Sequence, residues 1–465
     1  MTVTLLTGLL LQVVAIALLR HRLGHYWLRR PVTLIVITSA IYQGLSPILL
    51  TIQWIGAWNV YRNGVQQSFI SSAVLLMSAG MLAFTITYLM TLPERTDSML
   101  ESADIRNVIK ALDWRWLTAA CVPLAVFTYE GRGYEGAVEV AGSATPVGTD
   151  LAESFFTVLV VVAAFSFLLK YGVRWFIPVL MVQSLVLAAT GERTPVITDG
   201  ITLVLMLLLA GSRPSARQLR GASALTLIAV LAITGLRVEQ GRSLFSTDSG
   251  LSARISALGS GLAEFTNTRD ASSGPALVAQ TVVRLDGVDF AGAILQSVSS
   301  GQPRLSATYV LKSLLLVVPS SVWSSKLARG NDLNPTALET NDFGLQQINF
   351  LPTLPGLYIG FLSAPSLIAF LAFIGLLCGW GERWLFRRCT PVRLVFLAGA
   401  VTAALSYEAG LPAMLLELRA AATIAGVVKL IEVIRIRNTR SQSAEILMPH
   451  QATFARSTIQ RSRSS

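Results

Sequence analysis

Apolar residues in this chain fall into runs near the length that crosses about 30 Å of hydrocarbon as a helix. Polar residues gather in the short breaks between them. The runs cover residues 3–19, 32–55, 68–90, 116–129, 154–170, 175–190, 196–211, 222–236, 354–379, 394–411 and 413–431. The pattern predicts an all-α polytopic membrane protein with about eleven transmembrane helices. Four segments follow from it: an eight-helix part at 1–236, one long loop at 237–353, a three-helix part at 354–434 and a tail at 435–465.

The loop holds one further apolar stretch, YVLKSLLLVVPSSVW at 309–323. Lys312 and Pro319 interrupt it, so it is expected to form a re-entrant or interfacial helix. Such a helix is tolerated at membrane depth only where protein or a wet cavity satisfies its backbone, which makes it a candidate wall of a site. Residues 251–300 alternate helical apolar patterns with Gly and Ser breaks and predict several short helices folded over the membrane mouth. Residues 324–350 read as an irregular lid carrying Asp332, Glu339 and Asp342.

Cations fix an expected orientation, since Lys and Arg near helix ends stay on the cytoplasmic side. Arg20, Arg22, Arg29 and Arg30 follow the first run, Lys170 and Arg174 the fifth, Arg213, Arg217 and Arg220 the seventh, and Arg383, Arg387, Arg388 and Arg393 the ninth. This alternation puts a short N-terminus outside, the C-terminus inside and the long loop outside. The acidic segment 129–153 also falls outside, whereas 91–115, with five acids and four bases, fits the rule poorly. Counting 309–323 as a twelfth span would turn the later cation clusters outward, against the bias.

Composition excludes a soluble chain: 53% of residues are hydrophobic and 14% charged, and the mean hydropathy is +0.59, far from globular averages. The expected location is the cytoplasmic membrane of the cell, with the chain in contact with membrane lipid. The first run lacks the basic start and small-residue cleavage site of a removable signal peptide and is read as a retained helix. The polar, Ser- and Arg-rich tail reads as disordered and held near anionic lipid. Cys121, Cys378 and Cys389 lack metal-ligand spacing, and no nucleotide motif occurs, so neither cofactor nor metal nor nucleic acid is expected.

Candidate chemistry gathers at the outer face. Two apolar runs meet at Gly191-Glu192-Arg193-Thr194-Pro195, with Asp199 about a turn inside the following helix. Arg193 stands just before a helix whose first N–H groups and positive dipole end suit a phosphate. The plain alternative is that Glu192 and Arg193 pair in a tight interfacial turn. Arg237, Glu239 and Arg242 lie at the exit of the eighth run, and Arg254, Arg269, Arg284 and Arg304 follow along the loop. Their planar guanidinium forks bind phosphate or carboxylate bidentately, so an anionic ligand is implied, although arginine outweighs lysine in the cytoplasmic loops as well.

With these residues in view the chain resembles the Wzy-like O-antigen and exopolysaccharide repeat-unit polymerases. The resemblance rests on TGERTPVITDGITLVLMLLLAGSRP, the long loop after it, LLLVVPSSVW, and LPGLYIGFLSAPSLIAFLAFIGLLCG, over roughly residues 185–380. The family's acidic residue ahead of the return helix corresponds to Glu339 or Asp342. The resemblance implies a GT-C-like layout and glycosyl transfer outside the membrane, from a polyprenyl-diphosphate-linked oligosaccharide to a lipid-linked acceptor, possible partners being other polysaccharide-assembly proteins. Arg193, Arg237 and Arg242 would then bind the diphosphate, and one of Glu192, Glu239 and Asp342 would accept the acceptor's proton. His21, His25 and His450 all fall on the expected cytoplasmic side, unlike the histidine of ligases with a similar layout. The rival classes are a transporter or flippase, for which Glu417 and Arg419 in the last run are the most favourable feature, and a non-catalytic partner of an assembly complex. A structural ion pair between neighbouring helices is the plainer account of Glu417 and Arg419.

Overall fold

The computed structural model of the protein describes residues 2–51, 65–92, 115, 117–121, 149–188, 193–209, 214–239, 287–318, 323, 338–339, 342–343, 345, 353–387, 390–430 and 433. Most of the 116–129 run, the loop from 240 to 286, most of 319–352 and the tail lie outside these residues. The described residues fold into helices and turns, without a strand.

α1 (Thr2–Leu23) is one unbroken apolar run, ended at Gly24, whose φ of 57° is the left-handed value at which glycine closes helices. α2 (Pro31–Ser39) begins with proline at its first position and passes through a π-helical turn, Ala40–Leu45, into α3 (Ser46–Thr51). α4 (Gln67–Thr91), α5 (Thr149–Tyr171), α6 (Phe176–Ala188), α7 (Arg193–Leu209) and α8 (Ala216–Glu239) follow. Two short helices, α9 (Asp289–Ser299) and α10 (Thr308–Leu314), precede α11 (Ala364–Phe386), α12 (Pro391–Leu405) and α13 (Gly410–Leu430). Thr390 caps α12 by accepting the Arg393 N–H at 3.3 Å.

Five helical segments are long and apolar enough to cross a membrane: Val3–Leu23, Pro31–Ile48, Gln67–Thr91, Ala364–Phe386 and Gly410–Leu430. Shorter apolar helices lie beside them at Val158–Tyr171, Ile197–Leu208 and Pro391–Leu405. Large apolar side chains stand exposed along α1 and α11, including Leu6, Leu10, Phe373, Leu377 and Trp380, the last 71% exposed. Faces of this kind suit hydrocarbon, and with the apolar helices they mark a multi-pass membrane protein.

The apolar core has two parts. One is built by α1, α2, α4, α11 and the short segments around α9 and α10. The other is built by α5, α6, α7, α12 and α13, with the end of α11 joining it. Lipid supplies no hydrophobic drive between helices, so close packing needs small residues. Gly375 and Gly379, spaced as GxxxG, let α11 lie against α4 in parallel, facing Phe84 and Thr87, then Tyr88 and Thr91. Thr87 Oγ1 donates to the Ala372 carbonyl at 2.7 Å across this seam. A Gly379→Leu variant would drive a side chain into Thr91 and the Tyr88 carbonyl. It is expected to lose about 1–3 kcal/mol, read as a lower thermal midpoint in detergent. Gly381→Leu, with nothing within 4 Å of the added Cβ, should behave as wild type.

Polar groups inside the first core bond to one another. Gln12 Nε2 reaches Ser39 Oγ at 3.0 Å, Gln43 Oε1 at 3.3 Å and Ser78 Oγ at 3.3 Å. Gln43, on the π turn, donates to the Tyr407 hydroxyl. At the end of the bundle where α4 and α11 finish and α2 begins, Arg30 lies 3.6 Å from Glu382, both almost fully buried. Tyr88 Oη and the Val32 N–H donate to the Glu382 carboxylate at 2.7 and 3.0 Å.

The apolar run read as a helix from 354 differs in the structure, where α11 starts only at Ala364. Residues 353–362 are turns and a 3-10 turn at Gly356–Tyr358. Pro355 and Pro365 favour breaks in helical hydrogen bonding, and Thr353 takes a left-handed φ of 45°. The run is apolar because this strap is buried: Leu354, Leu357, Tyr358 and Ile359 are all inside the core. The 309–323 stretch is helical from Thr308 through Val317, about 15–18 Å and too short to cross the hydrocarbon. Leu311, 69% exposed, and Leu315 face away from the protein, while Val310 and Ser313 face in.

Candidate functional site

One end of the bundle carries a folded cap. α9 sits on the start of α4, where the Gln66 N–H donates to Gln296 Oε1 at 2.8 Å and Gly292 packs on Ile70 and Val65. The strap at 353–362 lies beside it, with Gly356 near Met77 and Leu357 against Gly410 at the head of α13. The 304–317 segment is tied to the strap. Arg304 Nη1 donates to the carbonyls of Ile359 and Leu362, the latter at 2.8 Å, and the Leu305 N–H donates to Gly360 O at 3.0 Å.

Glu339 closes the other side of this clasp. It is fully buried, and its Oε1 accepts the Gly360 N–H at 3.0 Å. Gly360 is required here, because an added Cβ would stand 2.5 Å from that oxygen and 2.8 Å from the Phe343 ring. Glu339 Oε2 receives no hydrogen bond among the described residues. Burial pushes the Glu339 carboxyl well above the usual carboxylate range, with the Gly360 N–H opposing. Burial likewise raises the nearby Tyr358 hydroxyl; Ser313 lowers it and Glu339 raises it further.

A carboxyl raised in the folded state contributes stability that is whole below its unfolded value and is lost as pH rises through the folded one. Thermal stability is therefore expected to fall as pH climbs above the ordinary carboxylate range. Glu339→Gln keeps an oxygen for the Gly360 N–H and should remove this component. Thermal unfolding of both proteins across a pH series checks it; identical pH profiles would contradict it.

Polar contacts continue from the cap into the second core. Ser313 of α10 neighbours Tyr358, and four residues on the Val317 carbonyl accepts from Arg419 Nη1 of α13 at 2.9 Å. Glu417, two residues earlier on α13, acts electrostatically on Asp199 of α7, whose Oδ2 lies 3.5 Å from Gln183 Nε2 of α6. A structural ion pair between neighbouring helices, the reading that the sequence gives for Glu417 and Arg419, is therefore only part of their surroundings. The guanidinium holds the α10 segment, and the carboxylate acts electrostatically on a second buried acid.

The backbone brings part of the sequence-derived set to one end. Ile177 faces Gly221, while Leu180 and Thr226 both lie against Gly200, so α8 runs with α6 and against α7. Arg193, the first residue of α7, and Arg237 and Glu239, at the finish of α8, thus come to a common end. Glu192 and Arg242 lie outside the described residues. Asp342 is exposed, three residues from the buried Glu339. Glu339 and the Asp199–Glu417 pair were visible in the sequence only as isolated carboxylates, since their partners lie 16 to 218 residues away along the chain. Set against protein-family models, curated proteins and solved structures, the chain matches none.

Proposed function

We propose that the chain is a polymerase of lipid-linked oligosaccharide repeat units, a Wzy-like glycosyltransferase with about eleven spans working at the outer face of the cytoplasmic membrane. The observation that carries this reading is the shared end: α7 begins with Arg193, and α8, packed beside it, finishes two residues past Arg237. A diphosphate needs guanidinium groups and free helix N–H groups at one place. A lipid-carried substrate needs that place to open sideways to hydrocarbon, which the apolar outward face of α10 suits.

In the proposed step an acceptor hydroxyl oxygen attacks the anomeric carbon of the donor glycan. The bond to the diphosphate oxygen breaks, the acceptor proton passes to a carboxylate, and polyprenyl diphosphate leaves with the bonding electron pair. Arg193, Arg237 and Arg242 neutralise the charge that develops on the leaving group. Glu192, Glu239 and Asp342 are the carboxylates assigned to the proton, with Glu339, three residues from Asp342, as the buried acid of the cap. The N-terminus and the cap then lie outside and the C-terminal tail inside. The purified protein, given lipid-linked repeat units and no nucleotide sugar, should yield a ladder of longer products; unchanged substrate would overturn the assignment.

A transporter or flippase is the second reading, and one observation favours it. Asp199 and Glu417 are ionisable side chains on helices of the bundle, where such groups mark solute or proton paths. Movement of the lipid-linked unit across vesicles without elongation would select this reading.

A further inference from the structure

One face of α11 stands open from its middle to its end. Phe373, Leu377, Trp380, Trp384 and Arg387, spaced alternately four and three residues apart, fall on a single helical stripe, and each is exposed. The apolar part of the stripe, from Phe373 to Trp384, is about 17 Å long, close to half of the roughly 30 Å of a hydrocarbon core. It therefore matches the acyl depth of one leaflet and puts Arg387, with the exposed Arg383 one turn before it, at headgroup level. α12 adds a further cation: Arg393 lies over the Trp384 ring at 5.0 Å, and that ring meets Phe396 edge-on at 5.4 Å.

Charge on this face is one-sided. Residues 364–393 hold four arginines and a single acid, Glu382, and Glu382 is turned inward to Arg30, Tyr88 and the Val32 N–H. The exposed side of α11 thus presents positive charge without a carboxylate of its own helix. A zwitterionic headgroup would bring a cation of its own to such a place, whereas a net-negative phosphodiester gains from every guanidinium, whose planar fork suits phosphate. We infer that the α11 stripe and the α11–α12 turn bind an anionic phospholipid. Its phosphate lies among Arg383, Arg387 and Arg393, and an acyl chain runs along Trp380, Leu377 and Phe373. The same turn is where the two cores join, Leu371 and Ile374 packing in the first and Leu385 and Phe386 in the second. A lipid held across α11 and α12 therefore braces the two cores, and its binding is read as stability.

Thermal unfolding of the purified full chain in detergent tests this, with phosphatidylglycerol or phosphatidylcholine of matched acyl chains added in increasing amount. The midpoint should rise and saturate with phosphatidylglycerol and move less with phosphatidylcholine. In Arg383→Gln with Arg387→Gln the half-saturating amount should grow about thirtyfold, the worth of two basic residues against an anionic headgroup. Arg217→Gln with Arg220→Gln removes equal charge from the exposed start of α8 and should leave the half-saturating amount unchanged. Equal weakening by both pairs marks a general attraction and overturns the site, as does an equal response to the two lipids. No response of the wild type to phosphatidylglycerol also overturns it, the result expected if the acids of segment 93–104, outside the described residues, neutralise the arginines. Should the Arg383 and Arg387 variant fold poorly, Trp380→Ala decides, at an exposed position and with all charge kept: a larger half-saturating amount supports the site and an unchanged one overturns it. None of these readouts depends on polymer formation, so failure here is distinguishable from failure of the glycosyl-transfer proposal.

Discussion

Replacing Arg193 or Arg237 by alanine is expected to abolish polymer while single repeat units remain on the lipid carrier. Each guanidinium is proposed to meet negative charge that grows as the diphosphate departs, so its removal raises the barrier more than it weakens substrate binding. Loss of one such preorganised donor lowers turnover about a hundredfold to a thousandfold. Lysine at either position keeps the charge but lacks the planar fork, and should fall between wild type and alanine. Accumulation of unpolymerised carrier, measured by gel or mass analysis of extracted lipid, distinguishes a failed transfer from a failed supply of units. Normal chain lengths in both alanine variants would discard the assignment.

A second large effect is expected far from that chemistry, at Glu382. Its carboxylate accepts from Tyr88 and from the Val32 N–H and stands 3.6 Å from Arg30, with α2, α4 and α11 all contributing. Arg30 also lies over the Phe386 ring at 4.2 Å. Glu382→Ala leaves a guanidinium buried without its counter-charge and two donors without an acceptor. Breaking a buried pair in this way costs about 3–5 kcal/mol. The double variant Arg30→Met with Glu382→Leu removes both charges and should recover much of that loss. Thermal or denaturant unfolding in detergent measures both, and a double variant no better than Glu382→Ala would show that the pair itself is not the source.

Helices were legible in the sequence wherever one apolar run formed one element. α1, α4 and α13 follow their runs closely, because length and hydropathy alone decide them. The strap at 353–362 was not legible, since burial beneath a cap and burial in hydrocarbon select the same residues. Only its prolines signal the difference. The close seam of α4 and α11 could have been found from Gly375-Leu-Leu-Cys-Gly379, whose spacing has a direct packing meaning.

The site was less legible than the fold for a similar reason. Arg193 and Arg237 stood out because charge at the end of an apolar run is conspicuous. Glu339 and Asp342 look alike in sequence, three residues apart in a polar stretch, and only packing buries one and exposes the other. In sequence Glu417 and Arg419 read as a structural ion pair between neighbouring helices. Residues two apart on a helix point to different sides, so Arg419 reaches the Val317 carbonyl and Glu417 need not follow it.

Side-specific labelling of Arg193→Cys and Arg237→Cys tests the shared diphosphate pocket most directly, in a background with Cys121, Cys378 and Cys389 changed to serine. An impermeant maleimide applied to intact cells should label both positions, and should fail to label His21→Cys at the finish of α1 until the membrane is opened. Labelling of Arg193→Cys and Arg237→Cys from opposite sides would leave no pocket for them to share.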